Sequence, residues 1–139
     1  MNDLERYLEV IVEPTFAEFT SKPNSRLAFL TCVAIFHAVD RAAYPNKPAK
    51  LRQAWCRESL DFKLVEIVAH HFKHVKSSDE KITGRPGLPV ARLFRFNEEG
   101  DEMELRNFWY VMRDAISFLR RKVADLDSAA EPSAAMSST

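Results

Sequence analysis

Three of the four histidines in the chain lie in one short stretch, AHHFKHVK, at residues 69–76. Within it His70 and His74 are four residues apart, so on a helix both imidazoles can point at one atom, as the ligands of a metal ion do. His37 and Asp40, on an earlier apolar stretch, could complete the ligand set if the two helices face each other. The sequence therefore permits a divalent-metal site formed by His37, Asp40, His70 and His74.

The same cluster can be explained without a metal. The C-terminus of a helix favours Lys and His, because these side chains interact with the helix dipole and bond the last carbonyls. This explains Lys73, His74 and Lys76, and the positive charge of the lysines disfavours a bound cation. His71 falls in the middle of the apolar face and is predicted to pack in the core. No catalytic residue is assigned, although His74, His70 and Lys73 are the candidates for acid–base chemistry.

His37 and Asp40 lie three residues apart on the most apolar stretch of the sequence. A buried polar group without a partner costs about 1–3 kcal/mol, so both are expected to have partners. A structural role is the simpler interpretation: Asp40 can meet Arg41, Arg26 or solvent, and His37 can be a satisfied core or boundary histidine. The alternative is that both belong to a binding site.

Arginines form a second feature, on the outer face of the last predicted helix. This face carries Arg106, Tyr110, Arg113, Ser117, Arg120 and Arg121. Arginines with an aromatic residue among them can follow a phosphate backbone or stack on bases. Arg106, Tyr110, Arg113 and Arg120 are therefore candidate binding residues, although Asp114 interrupts the row and any amphipathic helix has a charged outer face.

Length and charge limit the class of protein. A chain of 139 residues can form one domain with its own core, so no metal is required for folding alone. Twenty basic residues balance twenty acidic ones, which argues against a surface that binds nucleic acid everywhere and leaves a local patch possible. Neither GxGxxG nor GxxxxGK[ST] occurs, and GxSxG and HExxH are also absent from the sequence.

The cysteines and the apolar runs predict a cytoplasmic location. Cys32 and Cys56 have no second CxxC-type pair beside them, so we interpret them as free thiols of a reducing compartment. The N-terminus lacks the basic and apolar regions of a signal peptide. The longest nearly apolar run, residues 27–39, is shorter than the ~20 residues of a membrane span, so no membrane association is expected.

The first half of the chain predicts two helices. Apolar side chains recur at helical spacing over residues 2–20, in a helix that Pro14 kinks or splits. A second helix begins at Asn24 or Ser25, either of which can cap it, and ends near Ala43. Because this helix is apolar almost all the way round, we expect it at the centre of a bundle.

Two further helices follow. Pro48 can begin a third helix that ends near Glu58. The apolar positions then change phase on the helical wheel, which predicts a break near Ser59 and a fourth helix over about residues 60–76. Ser59 can cap the fourth helix.

The segment before the last helix contains the best strand candidate, PVARLFRF. The turn NEEG can join it to DEMEL as a short hairpin within residues 88–105, so that the last helix begins near Arg106. Alternatively, Asp101 and Glu104 form a capping box and the helix begins there. We favour the hairpin.

The last predicted helix places seven apolar side chains on one face. The tail at residues 127–139 has no apolar periodicity and is predicted to be disordered. The predicted architecture is therefore all-α: residues 1–126 form a four- to five-helix bundle, with a short loop or β-hairpin excursion before the last helix.

A small all-helical domain with FHAVD on its central helix and a helix ending in FKH resembles the HEPN superfamily. Those helical domains occur in prokaryotic toxin–antitoxin and phage-defence systems, and many of them cut RNA without a metal. The resemblance covers about residues 25–125 and implies that His74 or His70 is the motif histidine, which takes part in proton transfer. The arginine of the motif, a few residues before the histidine, has no counterpart here, since Arg57 lies beyond the predicted helix break.

Three functions follow, in this order of preference. The first is a small cytosolic protein of bacterial type that acts as a non-catalytic module and binds a protein partner or a second copy of itself, through an exposed apolar patch. The second is an HEPN-like protein that binds or cuts RNA, with His74, His70 or Lys73 in a cleft beside an arginine. The third is a metal-binding bundle, and a divalent metal is the only cofactor that the sequence suggests.

Overall fold

The computed structural model describes the backbone of residues 2–73, 94–97, 100–103 and 105–137, and the side chains of residues 2–70 and 105–129. Within these ranges the chain is almost entirely helical, which confirms the predicted all-α class. The helices are α1 (Asp3–Tyr7), α2 (Glu13–Ser21), α3 (Ser25–Ala43), α4 (Ala49–Glu58), α5 (Leu60–Lys73) and α6 (Leu105–Ser137).

Pro14 distorts the first helix without ending it. Between α1 and α2 the backbone makes a π turn over Leu8–Val12, in which the Glu13 amide donates to the Leu8 carbonyl. Proline has no amide hydrogen, and in a regular helix its ring collides with the carbonyl four residues earlier. The wider π turn accommodates this ring. The irregularity that the sequence predicts at Pro14 therefore lies in the turn before it.

The second predicted helix, α3, is confirmed at both ends. The Asn24 side chain accepts a hydrogen bond of 2.8 Å from the Leu27 amide and caps the first turn. The helix contacts α1, α2, α5 and α6. Its buried residues are Leu27, Ala28, Thr31, Cys32, Ala34, Ile35, Ala38, Val39 and Ala43. This confirms that it is the central helix of the bundle.

The break between α4 and α5 lies at Ser59, as the change of apolar phase predicts. Ser59 has an extended backbone and a buried side chain. Its Oγ accepts a hydrogen bond of 3.0 Å from the Phe62 amide, which satisfies a first-turn donor of α5. Pro48 precedes α4 and fits there because the first turn of a helix does not need its missing amide hydrogen.

Two antiparallel strands, β1 (Phe94–Asn97) and β2 (Gly100–Met103), confirm the predicted hairpin. In their register Phe94 lies opposite Met103 and Asn97 opposite Gly100. Because Asp101 belongs to β2, the alternative capping box does not start the last helix. That helix begins at Leu105, next to the predicted Arg106.

The last helix extends beyond its apolar face. α6 is helical to Ser137, whereas the sequence predicts a disordered tail from residue 127. Alanine, the strongest helix former, recurs in this segment and favours a helix, whereas Pro132 within it does not. The side chains of residues 124–129 are all exposed, and Asp127 accepts a hydrogen bond of 2.7 Å from Asn2. A folded domain that ends near residue 126 stays a prediction.

All six helices, α1 through α6, contribute side chains to one apolar core. Three aromatic rings form its centre: Phe62 of α5 meets Trp55 of α4 edge-on at 5.5 Å, and Phe118 of α6 lies 6.0 Å from Phe62. α5 packs mainly against α3 and α6, so the bundle is assembled around the central helix and the last one.

No helix in the described ranges is both long enough and apolar enough to cross a membrane.

Candidate functional site

His37 and Asp40, which the sequence predicts to need partners, pair with each other at the surface of the protein rather than in its core. The His37 Nδ1 lies 2.9 Å from the Asp40 Oδ2, and the two side chains are 54% and 48% exposed. This side of α3 carries apolar residues too but faces solvent: His37 and Asp40 are not among the buried residues of the helix, and Leu30 beside them is 41% exposed. An exposed pair of this kind stabilises a helix by only a few tenths of a kcal/mol, roughly 0.2–0.5.

His70 is half-buried on α5, and its Nδ1 lies 4.0 Å from the Glu66 Oε1. The Phe36 ring meets the rings of both His37 and His70 edge-on, with centroids 5.2 Å apart in each case. Among the residues whose side chains are described, no three His, Cys, Asp or Glu are placed to hold a metal ion.

Several predicted site residues lie outside the described side chains. His71, Lys73 and His74 belong to this group, as does Lys76. The metal site that includes His74, the core position of His71 and the HEPN-like use of His74 or Lys73 therefore stay predictions.

A thiol–carboxylate pair that the sequence analysis did not identify lies beside His70. Cys56 of α4 donates a hydrogen bond of 2.6 Å from its thiol to the Glu66 Oε2 of α5. Burial, this hydrogen bond and the negative charge of Glu66 raise the pKa of the Cys56 thiol to about 12. The thiol is therefore protonated at neutral pH and is a poor nucleophile and metal ligand. It joins α4 to α5 as a structural contact.

The predicted row of arginines on α6 divides among different neighbours. Arg120 forms an ion pair with Glu13 and lies 4.0 Å from Glu9, so it joins α6 to the first helix. Arg121 stands over the Phe118 ring at 6.0 Å. Because two carboxylates already neutralise the charge of Arg120, this arginine is less suited to bind a ligand on the outer face of α6.

Arg106 and Tyr110, in contrast, lie together at the edge of an open groove. The groove has a volume of about 360 Å³ and separates the start of α6 from the end of α2. Its lining residues are Phe19, Pro23, Leu105, Arg106, Trp109 and Tyr110. The lining is therefore aromatic and aliphatic apart from one guanidinium group.

Contacts beneath the groove hold its aromatic wall in place. The Trp109 ring stacks on Phe16 with centroids 5.5 Å apart, and its indole N–H donates a hydrogen bond of 2.9 Å to Thr20. Tyr110 meets Trp109 edge-on at 5.1 Å. The polar atom of the indole thus has a partner within the protein's own chain, so Trp109 offers apolar ring surface to the groove.

Arg113 supports the same wall from the next turn of α6. Its guanidinium lies 5.1 Å from the Tyr110 centroid and 5.5 Å from that of Trp109. It also donates a hydrogen bond of 3.0 Å to Asp114. Burial raises the pKa of the nearby Asp61 carboxyl, as does the charge of Asp114, while the charge of Arg113 lowers it. Arg113 therefore already has both aromatic and acidic neighbours.

Residue types and spacing in the sequence predict the α6 side of this groove but not the other side. Arg106, Tyr110 and Arg113 were candidate binding residues because of their types and spacing on one helix. Phe19 and Pro23 lie far from them in sequence, and only the packing of α2 against α6 brings them together. No local pattern around Phe19 distinguishes it from an ordinary core residue.

Comparisons with protein-family models, with curated proteins and with solved structures find no match to this chain.

Proposed function

We propose that this protein is a non-catalytic binding module that holds a short segment of another protein in the groove between α2 and α6. The observation that carries the proposal is the groove itself: an open, preformed apolar cleft whose aromatic wall is fixed by internal contacts. Clefts of about 300–1,000 Å³ with mainly apolar walls and a few polar groups are typical of binding sites.

The chemistry of the lining supports binding rather than catalysis. The described side chains that line the groove are aromatic, aliphatic or, in Arg106, permanently cationic. Such groups can remove apolar surface from water and pair with a negative charge, but they supply no general base or nucleophile at neutral pH. Burying an apolar side chain of the partner contributes about 1.5–3 kcal/mol, which is enough to anchor a segment when several contacts combine.

The exposed part of the aromatic wall is suited to a protein partner. Tyr110 is 50% exposed although it is a large ring next to other apolar groups. Tyr, Trp and Arg are the residues that dominate binding energy in protein interfaces, and here Trp109, Tyr110 and Arg106 occur within two turns of one helix. A ring that is already held in position loses little side-chain entropy when a partner binds.

Selection from a library of random short peptides displayed on phage tests this proposal. The enriched peptides are then measured for binding to the wild-type protein and to the Tyr110→Ala variant. We expect Tyr110→Ala to weaken binding about tenfold or more, as truncation of an interface aromatic residue does.

The matched control is Leu60→Ala, because Leu60 is an equally exposed apolar side chain (49%) that does not line the groove. It should leave peptide binding unchanged. Peptides that bind all three proteins equally, or a selection that enriches nothing, would overturn the proposal. If single-stranded oligoribonucleotides bind and Tyr110→Ala abolishes their binding while no peptide depends on Tyr110, the groove is an RNA site instead.

A further inference from the structure

We infer that the segment bound in the groove is acidic: it carries an apolar anchor side chain with an Asp or Glu close to it, and this carboxylate pairs with Arg106. The inference rests on the proposed function, because it names the chemistry of the partner that the groove holds. It comes from a comparison of the arginines of α6 and from the environment of the groove rings.

Arg106 differs from the other arginines of its helix in what surrounds it. Arg113 donates to Asp114, and Arg120 pairs with Glu13. Arg106 is exposed, lines the groove, and makes no ion pair with any residue that the structure describes. Glu18 is next to Phe19 in the sequence but does not line the groove. Among the described residues, Arg106 is therefore the charged group that lines the groove without an acidic partner.

Filling the groove changes the solvation of this guanidinium. An apolar anchor placed against Leu105 and Trp109 excludes water from the neighbouring Arg106, and a charged group that loses water without gaining a partner is costly. A carboxylate on the ligand restores the lost interactions, because the planar guanidinium can donate two parallel hydrogen bonds to its oxygens. An amide at that point compensates the cost only in part, because its carbonyl oxygen accepts a hydrogen bond but carries no charge, and a cation does not compensate it at all.

The same geometry favours a peptide over a nucleic acid. Bases bind to proteins by stacking on free aromatic faces. Here the Trp109 ring is stacked on Phe16, and the Arg113 guanidinium stands over both Trp109 and Tyr110. These contacts already occupy ring surface that a base would need. The rest of the lining is Phe19, Pro23 and Leu105, an apolar surface that suits a Leu, Met or Phe side chain.

A charge-exchange experiment tests the inference. The probe is the strongest Tyr110-dependent peptide from the display selection, and it is made in three forms. The first is the original acidic peptide. In the second each Asp or Glu is replaced by the corresponding amide, and in the third each is replaced by Lys. The three peptides are measured against the wild-type protein, Arg106→Glu and Arg57→Glu. Arg57 is an exposed arginine of α4 outside the groove, so its variant matches the change in net charge.

We expect the amide peptide to bind the wild-type protein about five- to tenfold more weakly than the acidic one, in line with the loss of a partly exposed charged hydrogen bond. Arg106→Glu should weaken binding of the acidic peptide and strengthen binding of the lysine peptide. Arg57→Glu should change the affinity for either peptide by no more than about twofold. With the wild-type protein, added salt should weaken binding of the acidic peptide but not of the amide or lysine peptides.

Two failures are distinguishable. If the selected peptides depend on Tyr110 but the acidic, amide and lysine forms bind equally well, the inference about the partner is wrong and the proposed binding function stands. If no selected peptide depends on Tyr110, the proposed function fails and the inference fails with it. An equal effect of Arg106→Glu and Arg57→Glu would also overturn the inference, because it would show a response to net charge alone.

Discussion

At the scale of single residues, the pairing of Cys56 with Glu66 makes a prediction about reactivity. The thiol donates to the carboxylate at 2.6 Å, and its pKa is raised to about 12. The thiolate is the reactive form, and its fraction at a given pH falls tenfold for each unit by which the pKa rises. We expect iodoacetamide to modify Cys56 in the native protein on the order of a thousandfold more slowly than in the denatured protein at pH 8.

Replacing the acceptor tests the cause. Glu66→Gln removes the negative charge, so the pKa of Cys56 should fall and its alkylation rate, followed by mass spectrometry of the cysteine peptides, should rise. Glu58→Gln is the control, since Glu58 is an exposed carboxylate of α4, the helix of Cys56, and does not bond the thiol. Equal rates in the two variants would show that burial alone protects Cys56. Cys32, which is fully buried, should stay unreactive throughout.

Residue types predicted that certain single side chains need partners, but not which partners these would be. The need of His37 and Asp40 for partners was foreseen correctly, as was solvent beside Asp40. The exposure of His37 was not foreseen, because FHAVD is mostly apolar although its two polar residues share the solvent side of α3. Cys56 and Glu66 were not paired, since the turn at Ser59 lies between them and sets which faces of α4 and α5 meet. The partner of a side chain on another helix depends on packing that one sequence does not contain.

At the scale of elements, the cap at Ser59 makes a quantitative prediction. Its Oγ accepts from the Phe62 amide, and Ser59→Ala removes this acceptor while the small side chain still fits the buried position. The free energy of unfolding should fall by about 1 kcal/mol, within the range of about 0.5–2 measured for helix caps. Urea denaturation followed by circular dichroism measures it.

Ser117→Ala is the matched control for the cap. The Ser117 hydroxyl donates to the Arg113 carbonyl within the regular part of α6 and is exposed. Its loss should leave stability nearly unchanged, because the backbone hydrogen bonds of the helix remain. If both serine variants lost the same stability, Ser59 would not be acting as a cap.

Helix ends were the most predictable elements, and the reason is local chemistry. Asn24 and Ser59 are polar residues immediately before apolar periodic segments, and both were found to bond first-turn amides. The hairpin was predictable because one run of strand-forming residues, in PVARLFRF, is followed at once by the turn NEEG, although β2 itself, GDEM, contains few strand-forming residues. The π turn at Leu8–Val12 was not placed correctly, since Pro14 signals a conflict in the helix but not the turn that resolves it.

At the scale of the whole molecule, the aromatic centre of the bundle determines stability. Phe62 is fully buried and contacts Trp55 and Phe118. Phe62→Ala should lower the free energy of unfolding by about 3–5 kcal/mol, through lost burial and a cavity between three helices. Denaturation monitored by tryptophan fluorescence reports the change, since Trp55 lies against the substituted ring.

Tyr110→Ala serves as the comparison for the core variant. It removes an aromatic ring of similar size from the edge of the groove, where half of the ring is exposed, so stability should fall by about 1 kcal/mol or less. A loss as large as that of Phe62→Ala would mean that Tyr110 is part of the core. That result would also make Tyr110→Ala unsuitable for testing the groove.

The groove itself is a property of the whole molecule, which explains why only half of it was predictable. One wall follows from the spacing of residues along α6, and the other comes from the end of α2 and the turn at Pro23. The two walls meet because α2 and α6 both pack on α3. The residue pattern along one helix can therefore identify Tyr110 and Arg106 as candidate binding residues, but it cannot show that they border a cleft.

The most direct test of the groove as the binding site uses the two tryptophans of the chain, Trp55 and Trp109. Trp109 lines the groove, whereas Trp55 is 2% exposed in the core. In a nuclear magnetic resonance titration of ¹⁵N-labelled protein with the selected acidic peptide, the indole N–H signal of Trp109 should shift progressively to saturation and that of Trp55 should stay in place. A shift of the Trp55 signal without that of Trp109, or saturable binding that moves neither, would contradict the account.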